Sequence, residues 1–245
     1  MLELLLPQRC VVCDTRGVQL CETCIERLPR IVPPLCDRCG MPTAWPVRRC
    51  RECAGRRLAF ATARSAVHYD DAVRALVAGW KERALRRLAG AAVSVVIEVV
   101  APPRAEVVTF VPPDPDRGLK RGHHPPRQLA EELARQWELP LAAPLRRRAA
   151  RRQRGLSRAE RRRNVAGVFS SRGLIPNSIV LVDDVFTSGA TANAAASSLR
   201  KAGARRVDVV TFARVVRKFD LPSGAMGQAG SREMRSAFLS KSVVR

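Results

Sequence analysis

The chain has 245 residues, of which 46% are hydrophobic, and this is enough for one full α/β domain with a small accessory module. It carries 44 Lys and Arg against 22 Asp and Glu, a net charge of +22. This excess argues against a cationic partner and favours phosphates, nucleic acid or a membrane surface, although a GC-rich genome also produces arginine-rich chains.

The start of the chain gives no sign of export. Met1–Pro7 has no basic start and only a short apolar run, whereas a secretory signal needs about 7–15 apolar residues after a positive region. The longest apolar stretch elsewhere, Ala91–Ala101, contains Ser94 and Glu98 and is too short for a membrane span. The sequence therefore predicts a cytoplasmic protein without membrane insertion.

All eight cysteines lie near the start of the chain, in four C-x-x-C pairs: Cys10/Cys13, Cys21/Cys24, Cys36/Cys39 and Cys50/Cys53. A gap of two residues lets both thiolates of a pair reach one metal, and two pairs complete a tetrahedral zinc site. Four pairs predict two zinc ions, and the absence of His among them predicts closed, structural sites. Disulfides and iron–sulfur ligation are alternatives, but a cytosolic location and four equal gaps favour zinc.

The cysteine spacing leaves the division of ligands open. Sequential pairing puts the first four cysteines on one ion and the last four on the other. A cross-braced arrangement uses the same ligands in a different order. Either way we expect residues 1–58 to form a folding and docking module.

After the cysteines, apolar runs alternate with helical patterns. Asp70–Val100 predicts one or two helices, and Glu106–Val111 predicts a buried strand that stops at Pro112-Pro113. Arg127–Trp137 predicts a helix, because its apolar residues recur every fourth position.

The second half of this zone repeats the alternation. Ser178–Val182 predicts a strand, Ala192–Ala202 a helix that Gly203 ends, and Arg206–Ala213 a further strand. Strands alternating with helices indicate an α/β fold with a doubly wound parallel sheet. We expect residues 59–216 to form this domain and residues 217–245 to be a poorly ordered tail.

The most informative segment is Ile179–Thr191, in which an apolar strand ends in two carboxylates. The carboxyl ends of parallel strands face the ligand crevice, so we expect Asp183 and Asp184 to line it. The loop that follows opens a helix, and its amides and hydroxyls are suited to cradle one phosphate. The residues of this expected phosphate site are Thr187, Ser188, Gly189, Ala190 and Thr191.

The acidic pair narrows the ligand further. Two carboxylates repel a bare phosphate, but they accept hydrogen bonds from two adjacent hydroxyls or hold Mg²⁺. A ribose 5-phosphate with free 2′ and 3′ hydroxyls satisfies both halves of the site. The chain contains no G-x-x-x-x-G-K-[ST] or G-x-G-x-x-G motif, and a loop that only caps a helix needs no acidic pair.

The segment VLVDDVFTSGAT resembles the phosphoribosyl-pyrophosphate (PRPP) motif of type I phosphoribosyltransferases. Within that superfamily, residues 8–215 resemble the ComF/GntX family of competence proteins, in which a double zinc ribbon precedes this domain. Lys120–Ala130 is similar to the family's RGFNQAxxLA stretch, with His123, His124 and Pro125 in place of Phe-Asn-Gln. Gln153–Val165 is similar to QxGLSxxERxxNV.

The resemblance implies a phosphoribosyltransferase that binds PRPP or ribose 5-phosphate with Mg²⁺, and it leaves the acceptor and turnover itself open. It implies that Asp183, Asp184 and Arg121 are catalytic and that Lys120 and Arg121 contact pyrophosphate. Arg161 and Asn164 are second choices for that contact. The family's association with DNA uptake implies single-stranded DNA and other competence proteins as partners.

A run of arginines offers a different hypothesis. Residues 146–163 hold ten arginines, which either close over a bound ligand or form a track for a nucleic-acid backbone. No aromatic residue lies in this run, so any nucleic-acid binding there depends on phosphate contacts and on salt. A non-catalytic adaptor for single-stranded DNA, built on zinc and arginine, is therefore the alternative function.

Overall fold

A computed structural model describes residues 8–115, 123–148 and 167–216. The proposed tail at 217–245 lies outside these ranges. The helices are α1 (Glu22–Glu26), α2 (Asp71–Glu82), α3 (Leu88–Val99), α4 (Pro125–Gln136) and α5 (Ala190–Lys201). The strands are β1 (Thr62–His68), β2 (Val107–Phe110), β3 (Leu145–Arg147), β4 (Phe169–Ser171), β5 (Ser178–Phe186) and β6 (Arg206–Arg214). Among these described helices, none has the length and apolarity that a membrane crossing requires.

The main sheet has four parallel strands in the order β1-β6-β5-β2. Its central pair, β5 and β6, is aligned so that Asp183 lies opposite Thr211 and Phe186 opposite Arg214. The small strands β3 and β4 form a separate antiparallel pair. The prediction of a parallel α/β fold is therefore confirmed.

Successive residues of β5 point to opposite faces of the sheet, as a strand requires. Val180 and Val182 belong to a first core, which contains the buried sides of α2, α3 and α4. Ile179 and Leu181 belong to a second core, which contains the buried side of α5 and four of the cysteines. The sheet is therefore covered by helices on both faces, which is the doubly wound arrangement.

The segment Asp70–Val100 forms two helices. Asp70 caps α2 by accepting a hydrogen bond from the amide of Val73 at 2.8 Å. The chain breaks before α3 at Ala84, whose φ is 53°. Helix α4 begins at Pro125, two residues earlier than the expected Arg127, because proline is well suited to the first helical position.

Two further differences concern strands. Strand β5 continues to Phe186, four residues beyond the predicted end at Val182, so the acidic pair lies inside a strand and not just after it. Strand β1 was not predicted, although it forms the edge of the main sheet next to β6. Helix α5 begins at Ala190, two residues before the predicted Ala192, so the last two residues of the segment that was expected to bind phosphate form its first turn.

Candidate functional site

The loop between β5 and α5 turns at Gly189. We call Thr187–Thr191, which includes the first two residues of α5, the hydroxyl loop. Gly189 has φ 71°, and a Cβ added there would lie 2.4 Å from Cζ of Phe186, so this position requires glycine. The N-cap residue Gly189 has no side chain to cap α5, and the amide of Ala190 makes only a long hydrogen bond, 3.4 Å, to Oγ of Ser188. The first amides of a helix have no acceptor within the helix. The N-terminus of α5 therefore offers donors to an anion, beside the exposed Thr187 and half-buried Ser188.

The acidic pair lies in β5, two residues before this loop. Asp184 is buried and forms an ion pair with Lys81 of α2, with Oδ2 and Nζ 2.8 Å apart. Asp183 keeps part of its surface exposed, and its Oδ1 accepts a hydrogen bond from the amide of Asp184 at 2.9 Å. The two carboxylates therefore differ: one is neutralised by a lysine, and the other is half-buried without a lysine or arginine in ion-pair contact among the described residues.

Burial and, as the next cause, the negative charge of Asp184 together raise the pKa of Asp183 to about 7, against the opposing effect of Lys81. A carboxyl with such a pKa is ionised only in part at neutral pH. A ligand that donates hydrogen bonds to Asp183, or a cation beside it, would favour its charged form. This is the behaviour expected of a carboxylate at a binding site.

Other ionisable groups lie near the pair. Arg147 of β3 forms an ion pair with Asp114 at 3.2 Å, and its charge also reaches Asp183. His124, just before α4, lies against the ring of Phe110 with centroids 5.5 Å apart. Burial lowers the pKa of His124 to about 4, with Arg127 as the next contribution, so this imidazole is neutral at physiological pH.

The structure thus brings Asp183, Asp184 and the hydroxyl loop together at the carboxyl end of β5. The other expected ligand contacts, Lys120, Arg121, Arg161 and Asn164, lie outside the described residues. Sequence reasoning did not identify three of the groups around the site: Lys81, Asp114 and Arg147. Only Arg147 carried a signal, since it belongs to the arginine run.

The eight cysteines form two groups in sequential order, Cys10, Cys13, Cys21 and Cys24 in the first quartet and Cys36, Cys39, Cys50 and Cys53 in the second quartet. All are free thiols, which excludes the disulfide alternative in this structure. In each quartet the four Sγ atoms lie within 4.8 Å of one another.

The sulfur spacing fits zinc. A tetrahedral site with Zn–S bonds of about 2.3 Å has S···S edges of about 3.8 Å. In the second quartet the Sγ atoms of Cys36 and Cys53 are 3.6 Å apart, and those of Cys39 and Cys50 are 3.4 Å apart. Gly40 closes this knuckle with φ 67°, where a Cβ would meet the carbonyl oxygen of Ala63 at 2.3 Å. The two quartets are structural zinc sites, and the sequential partition is the one the chain adopts.

An open cleft of about 470 Å³ lies at the amino end of β6, away from the hydroxyl loop. Its lining includes Thr62, Arg206 and Asp208. Arg206 Nε and Thr62 Oγ1 both donate to Asp208, at 2.6 and 2.7 Å. Because these polar groups satisfy one another, we assign no function to the cleft.

Comparison with known proteins matches both parts of the chain. Residues 1–54 match the family described as "Double zinc ribbon domain". Competence protein F of Haemophilus influenzae is 28% identical over 208 residues, which cover 80% of this chain and 90% of that protein. Competence protein ComFC of Streptococcus pneumoniae is 36% identical over 106 residues, which cover 43% of this chain and 46% of that protein.

Among solved structures, orotate phosphoribosyltransferase from Aeropyrum pernix is 24% identical and covers 60% of this chain and 67% of its own, with a TM-score of 0.33. The fold assignment rests on the strand order and helix positions described above. The order of the two parts, a cysteine-rich module followed by a parallel α/β domain, and the similarity to the two competence proteins support one conclusion: the chain is similar to the ComF family of competence proteins.

Proposed function

We propose that the α/β domain binds a 5-phosphoribosyl ligand, PRPP with Mg²⁺ or ribose 5-phosphate, at the carboxyl end of β5. The observation that carries this proposal is the position of the acidic pair just before the N-terminus of α5, where the N-cap residue is Gly189. The 5′-phosphate accepts hydrogen bonds from the hydroxyl loop and from the first amides of α5. The ribose hydroxyls donate to Asp183, which keeps an exposed surface, while Lys81 holds Asp184 in place.

The resemblance of the segment VLVDDVFTSGAT to the PRPP motif of type I phosphoribosyltransferases supports the same ligand. Mg²⁺ suits such a site because it takes oxygen ligands from one or two carboxylates and from substrate phosphates. Lys120 and Arg121 are the groups that we propose for pyrophosphate. Together these charges can stabilise the leaving pyrophosphate as the bond at C1 of the ribose breaks and positive charge develops on the sugar.

The pKa of Asp183 gives the test. A ligand whose hydroxyls donate to the ionised carboxylate should bind about tenfold more weakly for each pH unit below 7, and independently of this group above it. We would titrate PRPP with Mg²⁺ by calorimetry between pH 5.5 and 8.5. Asp183→Asn is the matched control, because it reports the pH dependence that comes from the ligand alone. An identical pH profile for both proteins, or no binding by the wild type, would contradict the proposal.

Turnover needs a separate measurement. Pyrophosphate release in the presence of candidate acceptor bases would identify a phosphoribosyltransferase. Tight PRPP binding without release across the acceptors would favour a protein that senses PRPP.

A second candidate function is binding of single-stranded DNA. The surface near the second quartet supports this candidate, because a shallow cleft there is lined by Arg38, Arg48 and Arg49. Burial lowers the pKa of Arg38, and the charges of Arg49 and Arg206 lower it further, so these cations lie near one another. Fluorescence anisotropy of labelled DNA at 50 and 200 mM salt tests this candidate, since phosphate-led binding should weaken by orders of magnitude over that range.

A further inference from the structure

The second quartet lies against the hydroxyl loop. Its four cysteines belong to the same core as Phe186 and the buried side of α5. The first quartet is elsewhere: its neighbours Val11, Leu20 and Ile25 pack against the first core, on the other face of the sheet. Only one of the two zinc sites therefore shares a core with the proposed phosphate site.

One direct connection runs through Arg56, in the turn that follows Cys53. The amide of Arg56 donates to the carbonyl of Cys53 at 3.2 Å, and its Nη1 donates to the carbonyl of Glu52 at 3.4 Å. Its Nη2 donates to the carbonyl of Ser188 at 2.9 Å. One guanidinium thus joins the last zinc knuckle to the middle of the hydroxyl loop.

A second connection runs through Arg214, the last residue of β6. Arg214 is 2% exposed, and its Nη1 donates to the carbonyl of Cys39 at 2.5 Å. Four thiolates around one Zn²⁺ carry a net charge of −2, which compensates this buried cation. The same guanidinium lies over the ring of Phe186, with its carbon 4.6 Å from the ring centroid.

Phe186 transmits this contact to the loop. Its ring lies directly beneath Gly189, as the 2.4 Å approach of an added Cβ demonstrates. The ring of Phe60, which follows the second quartet, makes a T-shaped contact with the same ring, with centroids 6.2 Å apart. Close by, the amide of Ala59 donates to Oδ1 of Asn193 in the first turn of α5 at 2.7 Å.

We propose that Arg56 and Arg214 are positioning residues through which the second zinc site sets the geometry of the hydroxyl loop, so that affinity for a 5′-phosphate depends on metal in that site and not in the first. The inference rests on the proposed function for its ligand, but not for the contact itself. When the second quartet loses its metal, the carbonyls of Glu52 and Cys39 lose their fixed positions. The hydroxyl loop then loses the contacts with Arg56 and Phe186 that hold Ser188 and Gly189 in place.

The first experiment compares Arg56→Ala with Arg57→Ala, its exposed neighbour. Arg56→Ala should weaken ribose 5-phosphate binding about tenfold by calorimetry, the effect of losing one charged hydrogen bond. Amide hydrogen exchange should become faster in Thr187–Thr191 and remain unchanged in β2. Arg57→Ala should match the wild type, both variants should retain two zinc ions, and Arg56→Lys should restore part of the affinity.

The second experiment removes one metal at a time. Cys53→Ser disrupts the second quartet, and Cys13→Ser disrupts the first. Exchange in the hydroxyl loop should rise in Cys53→Ser alone. Wild-type exchange in both Arg56→Ala and Cys53→Ser, or equal acceleration in Cys13→Ser, would overturn the inference. Failure of the wild type to bind ribose 5-phosphate would contradict the proposed function, whereas the exchange comparison would still decide whether zinc site and loop are coupled.

Discussion

Neutralising the two neighbouring aspartates should change stability in opposite directions. Burial and the charge of Asp184 raise the pKa of Asp183, so the ionised form of this carboxyl destabilises the folded protein. Asp184 is paired with Lys81 at 2.8 Å, and its charge is compensated. Asp183→Asn should therefore increase the free energy of unfolding near neutral pH, and Asp184→Asn should decrease it.

The magnitude follows from the pKa. A rise from 3.8 to about 7 is about three units, or about 4 kcal/mol. Water reaches the exposed part of Asp183 and screens this cost, so we expect a gain of about 2 kcal/mol for Asp183→Asn. For Asp184→Asn, removing one member of a largely buried ion pair should cost about 2 kcal/mol, below the 3–5 kcal/mol of a fully buried pair.

The pH dependence tests the sign of the stability change caused by Asp183→Asn. The pKa of Asp183 is higher in the folded protein than in the unfolded chain. Its contribution to the stability of the wild type is therefore fully present below pH 3.8 and is lost as the pH rises to about 7. The advantage of Asp183→Asn should therefore be near zero at pH 4, grow up to pH 7 and stay constant above it.

Urea unfolding, followed by tryptophan emission, to which the buried Trp80 contributes, measures both variants from pH 4 to pH 8. Lys81→Met combined with Asp184→Asn should lose less than the sum of the single changes, because the two residues form one pair. A loss of stability in Asp183→Asn at pH 8, or a gain that does not disappear at pH 4, would refute this reasoning.

Three other predictions follow from the site and the metal centres. Gly189→Ala should reduce ribose 5-phosphate affinity at least tenfold by calorimetry, because the new methyl clashes with Phe186; wild-type affinity would remove the loop from the binding site. Metal analysis should find two zinc ions per chain, and chelation should lower the urea midpoint of the whole protein, because the second quartet belongs to the core of α5; an unchanged midpoint would contradict this. Replacing several arginines in 146–163 by glutamine should flatten the salt dependence of single-stranded DNA binding, whereas an unchanged slope would exclude the run as a phosphate track.

Local chemistry allowed the sequence to predict much of the fold. The paired cysteine gaps gave the two zinc sites, and the alternating apolar segments gave the parallel sheet. The sequence did not predict strand β1, because Arg64 and Ser65 interrupt its apolar pattern. In the folded protein Ser65 is buried and its hydroxyl pairs with that of Thr211 on β6 at 2.6 Å, so a polar residue in the core is satisfied by a distant one.

The same limitation explains the errors around the acidic pair. Two adjacent carboxylates predict the end of a buried strand, and β5 nevertheless continues to Phe186. The strand can continue because Lys81, which lies on α2, forms an ion pair with Asp184 and neutralises its charge. Contacts of this kind depend on elements far apart in the chain, and no spacing within a motif reveals them. The supports of the hydroxyl loop, Arg56 and Arg214, were missed for the same reason.

The position of β6 has a consequence for how the protein is made. This strand is the last among the described residues, yet it lies between β1 and β5 in the sheet. On the ribosome, β2 and β5 can pair as soon as β5 emerges, but β1 has to wait for its neighbour until Arg214 has been synthesised. The cysteine module, which is made first, also lacks its Arg214 contact until then. A nascent or truncated chain that ends before Arg206 therefore holds two incomplete halves with exposed strand edges, and such chains should depend on chaperones or be degraded.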